Sequence, residues 1–235
     1  MLDEWPNVKS GNLLEIGCGD GFLSKELSNH FGRVVSTDIH PTGQSDNLIR
    51  ADAQKLPFSD SSFDVIFSSN VLEHIPNIDA CLSELYSVST DDVLMVHTMP
   101  TIWWKTLQYI THPMHICRKL FNNFRPGKTS QTNHVDSSHF PIENWRKSSE
   151  RPLLRRLLPA IHGVSDNHLL EFLHFRTRWW ESQFNAHGFI TLKKTNLFVH
   201  SGYELFPYKL MRFRNALART YFPCVTAYWV VKSHS

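Results

Sequence analysis

The chain has 235 residues, 41% of them hydrophobic and 20% charged, which describes a globular protein with one substantial core and excludes a low-complexity or fibrous one. No apolar run reaches bilayer-crossing length, and a start carrying Asp3, Glu4 and Pro6 lacks the pattern of a signal peptide, so we expect a cytoplasmic protein. The net charge of +2 hides a division: residues 1–100 hold 5 Lys and Arg against 15 Asp and Glu, whereas the remainder holds 19 against 7 together with six of the seven tryptophans.

Trp5, Pro6 and Gly11 predict only a short arm before the first strand. Leu13 to Ile16 is an apolar run with one acid, Glu15. It is followed by Gly17, Gly19 and Gly21 at alternate positions and then a helical pattern over 22–31 that Gly32 stops. Strand, tight turn and helix make a cradle for a nucleotide-like ligand, because glycine leaves no Cβ between the main chain and the ligand. A dinucleotide fingerprint wants G-x-G-x-x-G. Here the third glycine comes one residue early, at Gly21, and Phe22 stands where that fingerprint expects glycine.

Arg33 to Asp38 reads as a second strand ending in an acid, 21 positions after Gly17. That is close to the roughly 20 residues at which a ribose-binding carboxylate follows a glycine loop in doubly wound folds. Asp38 can accept both ribose hydroxyls, and Ile39 can pack on the adenine face. Ile49 to Ala53 is expected as a third strand closing on Asp52, Val65 to Ser69 as a fourth, Asp79 to Val88 as an amphipathic helix, and Asp92 to His97 as a fifth strand. Alternation of strands and helices predicts parallel pairing and a doubly wound α/β sheet. Ligands of such sheets sit beyond the carboxyl ends of the strands, where Gly17, Asp38, Asp52 and Ser69 lie.

The string Glu-Ile-Gly-Cys-Gly-Asp-Gly at 15–21 resembles motif I of the class I S-adenosylmethionine-dependent methyltransferases. Residues 53–64 resemble that family's A-x-x-L-P-F-x-D-x-S-F-D run, and Asn70 to Ile75 its x-V-L-E-H-I. Trp180, Phe184, Gly188 and Phe189 follow its W-x-x-x-F-x-x-x-G-F pattern. The subgroup resembled, methyltransferase type 11, includes ubiquinone-pathway, sterol and many small-molecule enzymes. The resemblance implies a seven-stranded, mostly parallel sheet whose last strand is antiparallel, and S-adenosylmethionine as cofactor with S-adenosylhomocysteine as product. It places Gly17, Cys18 and Gly19 beside the methionine part and Glu15 behind the ammonium group, directly or through the loop. Asp52 would accept from the adenine amino group and Ala53 would offer a backbone contact to the ring. The Glu73–His74 pair should face the methyl group, which makes His74 the first candidate for a base.

After Pro100 the alternation stops for about 75 residues, a length more often functional than idle. Within a single methyltransferase domain we expect 101–175 to be a largely helical cap on the substrate side, with a helix from Trp103 to Phe124 broken at Pro113. A polar segment follows at 127–138, then a Leu/Arg run at 153–158. His134, His139 and His162 in this cap are weaker base candidates. A basic amphipathic helix with tryptophan could instead touch a membrane surface peripherally. A helix over 177–187, a sixth strand from Phe189 to Val199, a basic helical excursion over 203–222 and a strand from Cys224 to Lys232 complete the chain. The excursion departs from the family pattern.

Cys18, Cys81, Cys117 and Cys224 show no paired spacing and read as free thiols. His112, His115 and Cys117 lie close together, but nothing completes four ligands, so we expect no metal. The position after the fourth strand reads Ser68-Ser69-Asn70-Val71, not the Asn/Asp-Pro-Pro-Tyr/Phe of base-methylating enzymes, so no nucleic-acid partner is expected. The expected function is methyl transfer to oxygen, less readily to carbon or nitrogen, of a small-molecule or lipid-linked acceptor. The alternatives are an NAD(P)-dependent oxidoreductase and a non-catalytic cofactor-binding subunit.

Overall fold

The computed structural model describes residues 11–43, 48–123, 158–197, 216, 218 and 221–233. Seven strands form one sheet among these residues: β1 (Asn12–Ile16), β2 (Arg33–Asp38), β3 (Leu48–Arg50), β4 (Phe63–Ser69), β5 (Ser89–Pro100), β6 (Phe189–Asn196) and β7 (Val225–Lys232). Their order is β3-β2-β1-β4-β5-β7-β6. The first five pair in parallel, while β7 enters antiparallel between β5 and β6, so the expected architecture holds.

The central strands read as near-continuous apolar runs because both faces are covered. With a period of two, Leu14, Ile16 and Ile66 face one layer and Leu13, Val65 and Phe67 the other. On the first face they meet Leu82 and Leu85 of α2 (Ile78–Val88) and Trp180 and Phe184 of α5 (Thr177–Ala186). On the second they meet Leu27 of α1 (Phe22–Ser28) and Phe31 just beyond it. Asn77 caps α2 by accepting from the Ala80 N–H, as an Asn before an apolar helical run commonly does.

Several element ends differ from expectation by a few residues, among them β4, which begins at Phe63, and β5, which spans Ser89–Pro100, and two of the differences have local chemical reasons. The third strand ends at Arg50, and Asp52 instead closes a turn by bridging to Lys55 while its carboxylate accepts from the Gln54 N–H. An Asp side chain competes in this way with ladder pairing. The helix after Thr101, α3 (Ile102–Asn123), runs through Pro113 without a break. Proline removes one N–H and crowds the preceding turn, at about 3 kcal/mol. The segment's first turn is anchored in the core by buried Trp104 and Lys105, and the helix continues. Among the described residues of this stretch a further helix is α4 (His168–His174), whose first turn is capped by Asn167. The 127–138 segment, the Leu/Arg run to Leu157, His134, His139 and most of the 203–222 excursion lie outside the described residues. No helix among the described residues is long and apolar enough to cross a membrane.

His97 on β5 is fully buried, with Nδ1 2.8 Å from Ser68 Oγ and its ring stacked on Phe184. Burial pushes its pKa down to about 3 from 6.5. Between those values the unfolded chain binds a proton that the folded chain refuses. This contribution to stability is therefore whole above pH 6.5 and is lost as pH falls toward 3. In urea titrations at pH 6, 5 and 4, His97→Asn should flatten the loss of unfolding free energy by up to about 1.4 kcal/mol per pH unit. An unchanged slope would show that His97 is not the group responsible.

Candidate functional site

The carboxyl ends of β1, β2 and β4 meet where the chain, having built outward through β2 and β3, returns to place β4 on the other side of β1. Such a reversal leaves a crevice. The glycine loop crosses it in a conformation that only glycine adopts freely: Gly17, Gly19 and Gly21 have φ of 71°, 57° and 80°. Gly17 is further restricted, since a Cβ there would lie 2.2 Å from Val71 Cγ2 in the segment after β4. Gly19 is the opposite case, for a Cβ on it would meet nothing within 4 Å. One glycine lets two segments close on each other, and the other leaves room for a ligand against bare backbone.

Neighbouring strands hold the loop. The Gly17 and Cys18 N–H groups both donate to the Thr37 carbonyl (2.7 and 3.0 Å), and the Gly19 N–H donates to Asp38 Oδ2 (2.9 Å). Asp38 Oδ1 accepts from the His40 N–H (2.8 Å). A carboxylate has about four acceptor positions, so both oxygens keep a lone pair for a diol. Ile39 beside it is 52% exposed, an apolar surface offered at the crevice. Phe22 opens α1 with its side chain 63% exposed.

Glu15 sits beneath the loop, buried, with Oε2 accepting from Ser24 Oγ (2.5 Å) and Ser36 Oγ (2.7 Å). Burial raises its pKa, and the two hydroxyls work against that. Cys18 is buried, its thiol pushed up to about 12 first by burial and then by the charges of Glu15 and Asp38, which makes it a packing group and not a nucleophile. Asp52 and Ala53 are half-buried, Asp52 being held by Gln54 through both its N–H and its Nε2. Ser69 Oγ accepts from Thr98 Oγ1 (3.1 Å) at the end of β4. Asn70, next in line, takes a left-handed φ of 54° and donates its N–H to the Thr98 carbonyl, turning the chain into a short 3₁₀ turn at Leu72–His74.

That turn carries Glu73 and His74. Glu73 is buried, and burial raises its carboxyl to about 7, with His74 pulling the other way. Burial lowers the pKa of His74. His162, from the long stretch after β5, is brought within 3.6 Å of Glu73 Oε1, its ring 4.4 Å from that of His74. The sequence named His162 only as a weaker base candidate. Its approach depends on Gly163, whose φ of 75° and lack of Cβ allow the Val164 N–H to donate to the Glu73 carbonyl (3.1 Å), where a Cβ would meet that oxygen at 2.3 Å. Glycine 163 was the one local signal that the two segments touch. Behind His162, the fully buried Lys105 and Glu171 pair at 2.7 Å. Glu171 Oε1 accepts the His162 N–H, and Lys105 Nζ donates to the Ala160 carbonyl. Burial lowers the pKa of Lys105 against the pull of Glu171. Nothing in either residue's local sequence announced this pair.

A second opening, of about 810 Å³, lies along the same edge of the sheet beyond β5, β7 and β6 and is lined by Trp103, Phe175, Arg176, Arg178 and Lys194 among others. Lys194 is paired there with Glu181 (2.7 Å).

Residues 14–96 match the family model described as a methyltransferase domain. The sterol 4-C-methyltransferase strm-1 of Caenorhabditis elegans is 33% identical over 89 residues, 32% of this chain and 27% of that protein. The malonyl-[acyl-carrier protein] O-methyltransferase of Serratia marcescens is 31% identical over 86 residues, 33% of each chain. The matched part is thus about a third or less of either relative's length. In three dimensions, an S-adenosylmethionine-dependent methyltransferase from Mesorhizobium loti shares the fold at a TM-score of 0.56 and 15% identity, covering 98% of this chain and 99% of that one. A methyltransferase from Haloferax volcanii, solved in complex with the activator Trm112, does so at 0.55 and 14%, covering 99% and 87%. The glycine loop, the strand-end acids and the Leu72–His74 turn all fall inside the stretch 14–96 that matches the methyltransferase-domain model, and beyond it the likeness to the solved S-adenosylmethionine-dependent methyltransferase is one of fold.

Proposed function

We propose that the chain transfers a methyl group from S-adenosylmethionine to an oxygen of a small-molecule or lipid-linked acceptor. The observation that carries this reading is the joint placement of Asp38 and Gly19. The carboxylate holds the loop through the Gly19 N–H while Gly19 itself faces open space at the strand reversal. Asp38 then binds the ribose, Ile39 packs on the adenine, and Asp52 with the Ala53 backbone reads the adenine edge. Gly17 and Cys18 shape the loop beside the methionine part, with Glu15 supporting it from below and Ser69 closing the far wall.

When bound, the cofactor supplies an electrophilic methyl group on a sulfonium, and displacement there is in line. The protein's work is therefore to align the acceptor and exclude water. A hydroxyl acceptor must also lose a proton. Burial keeps His74 neutral near pH 7, leaving a ring lone pair to take that proton. With Lys194 paired to Glu181, Arg176 and Arg178 around the second opening favour an acceptor with an anionic group, in keeping with the basic half of the chain.

Calorimetric titration with S-adenosylmethionine and S-adenosylhomocysteine should show binding of one equivalent of each. Absence of both sinks the reading. His74→Ala should lower turnover more than about tenfold with cofactor affinity unchanged, and a smaller loss removes His74 from the proton-accepting role.

A further inference from the structure

Glu73, His74 and His162 each aim one donor atom at a common point, all three atoms lying within 4.8 Å of one another. Glu73 Oε1 is 4.0 Å from His74 Nε2 and 3.6 Å from His162 Nε2. Among the described residues neither carboxylate oxygen of Glu73 receives a hydrogen bond, although the side chain is only 2% exposed. A buried carboxylate without donors is costly, and one facing two imidazoles suits a cation.

We propose that Glu73, His74 and His162 bind one divalent ion of the zinc class. Two imidazoles and one carboxylate, with no thiolate, make a borderline donor set that suits zinc and its first-row neighbours better than calcium or magnesium. Tetrahedral ligands about 2.0–2.1 Å from zinc stand about 3.3 Å apart, so the 3.6 and 4.0 Å separations would contract by about 0.3 and 0.7 Å, and the two imidazole nitrogens, within 4.8 Å of each other, would draw together as well. Three protein ligands leave a fourth position open. The entry path is on the His74 side, whose side chain is 33% exposed against 10% for His162.

The surroundings hold these ligands before any ion arrives. The Val164 N–H to Glu73 carbonyl bond pins the His162 segment to the Leu72–His74 turn. Glu171 accepts the His162 N–H, and Trp104 and Phe175 flank its ring at 4.7 and 6.1 Å. The Glu171 contact is to the backbone N–H of His162 and the aromatic contacts pack on its ring, so together they place the segment and the ring plane. The expectation of no metal drew on local spacing, which cannot see a ligand 89 positions away.

The test uses the full chain, stripped with EDTA and titrated with Co²⁺ for its visible absorption and with Zn²⁺ against a chromogenic chelator. One equivalent should bind. Glu73→Gln and His162→Ala should each weaken binding by about 100-fold, the upper end of what loss of even an outer-shell partner costs. Should either variant fail to unfold cooperatively, the half-exposed His74→Gln gives the same readout without disturbing buried packing. No stoichiometric ion in the wild type, or affinity unchanged within about threefold in the variants, overturns the proposal; the latter would point to His112, His115 and Cys117. The proposal is independent of methyl transfer. Cofactor titration of the stripped protein reports on that reading separately, and turnover with and without the ion separates a liganded His74 from one that accepts a proton.

Discussion

Asp38→Ala is expected to weaken S-adenosylmethionine binding by about 100-fold or more, about 2.8 kcal/mol, and to lower the temperature of unfolding as well, because the Gly19 and His40 N–H groups lose their acceptor. The side chain has two tasks. It accepts the Gly19 and His40 N–H groups, which sets the loop's height above the strands, and its remaining lone pairs face the crevice where a ribose diol would sit. Hydrogen bonds to a charged group are worth about 1.5–3 kcal/mol each, so losing two accounts for the effect without loop disorder. Asp38→Asn keeps one acceptor oxygen and should fall between the two. Calorimetry decides the matter, and a change of less than about threefold for the alanine variant would remove Asp38 from the cofactor site.

The second large effect concerns stability. Lys105→Met and Glu171→Gln should each lower the unfolding free energy by about 3–5 kcal/mol, because each leaves the other member's polar group buried without its partner. The double variant Lys105→Met/Glu171→Gln should cost less than the sum of the two single losses, since no charge is then left buried alone and the amide oxygen of the introduced glutamine can still accept the His162 N–H. Urea unfolding of the four proteins closes the cycle. If the single variants cost less than about 1 kcal/mol, water reaches the pair in solution. The pair also carries His162, so the single variants should loosen the contact between the 158–164 segment and the Leu72–His74 turn, an effect visible as faster amide exchange at Val164.

What the sequence disclosed was the part of the molecule governed by short-range rules. Leu13 to Gly21 must be strand and turn because the apolar run ends in glycines with left-handed angles, and Asp38 falls at a strand end because one helix and one strand occupy 21 residues. The order and type of the strands in 12–100 follow such local arithmetic, though not all of their ends. Pro113 shows where the arithmetic stops. Its propensity argues for a break, yet buried Trp104 and Lys105 fix the start of the helix and tertiary anchoring outweighs the proline. Asp52 misled for a smaller reason, an acid whose side chain found a nearer partner in Gln54 than a strand could offer. The meeting of Glu73 with His162, and of Lys105 with Glu171, belongs to a third category. Those contacts join segments with no shared periodicity, and only folding brings them together.

The place of β7 carries a consequence for how the molecule comes into being. Met95 pairs with Val230, and the edge strand β6 pairs with the sheet only through β7. Every other strand is therefore synthesised before the one that joins β5 to β6. Until then β5 shows an open hydrogen-bonding edge and β6 has nothing to pair with, so closure waits on contacts of high sequence separation, which form slowly. A ribosome-bound chain halted before Val225 can assemble the cofactor end of the sheet but exposes an apolar strand edge, the kind of surface that recruits chaperones or other chains.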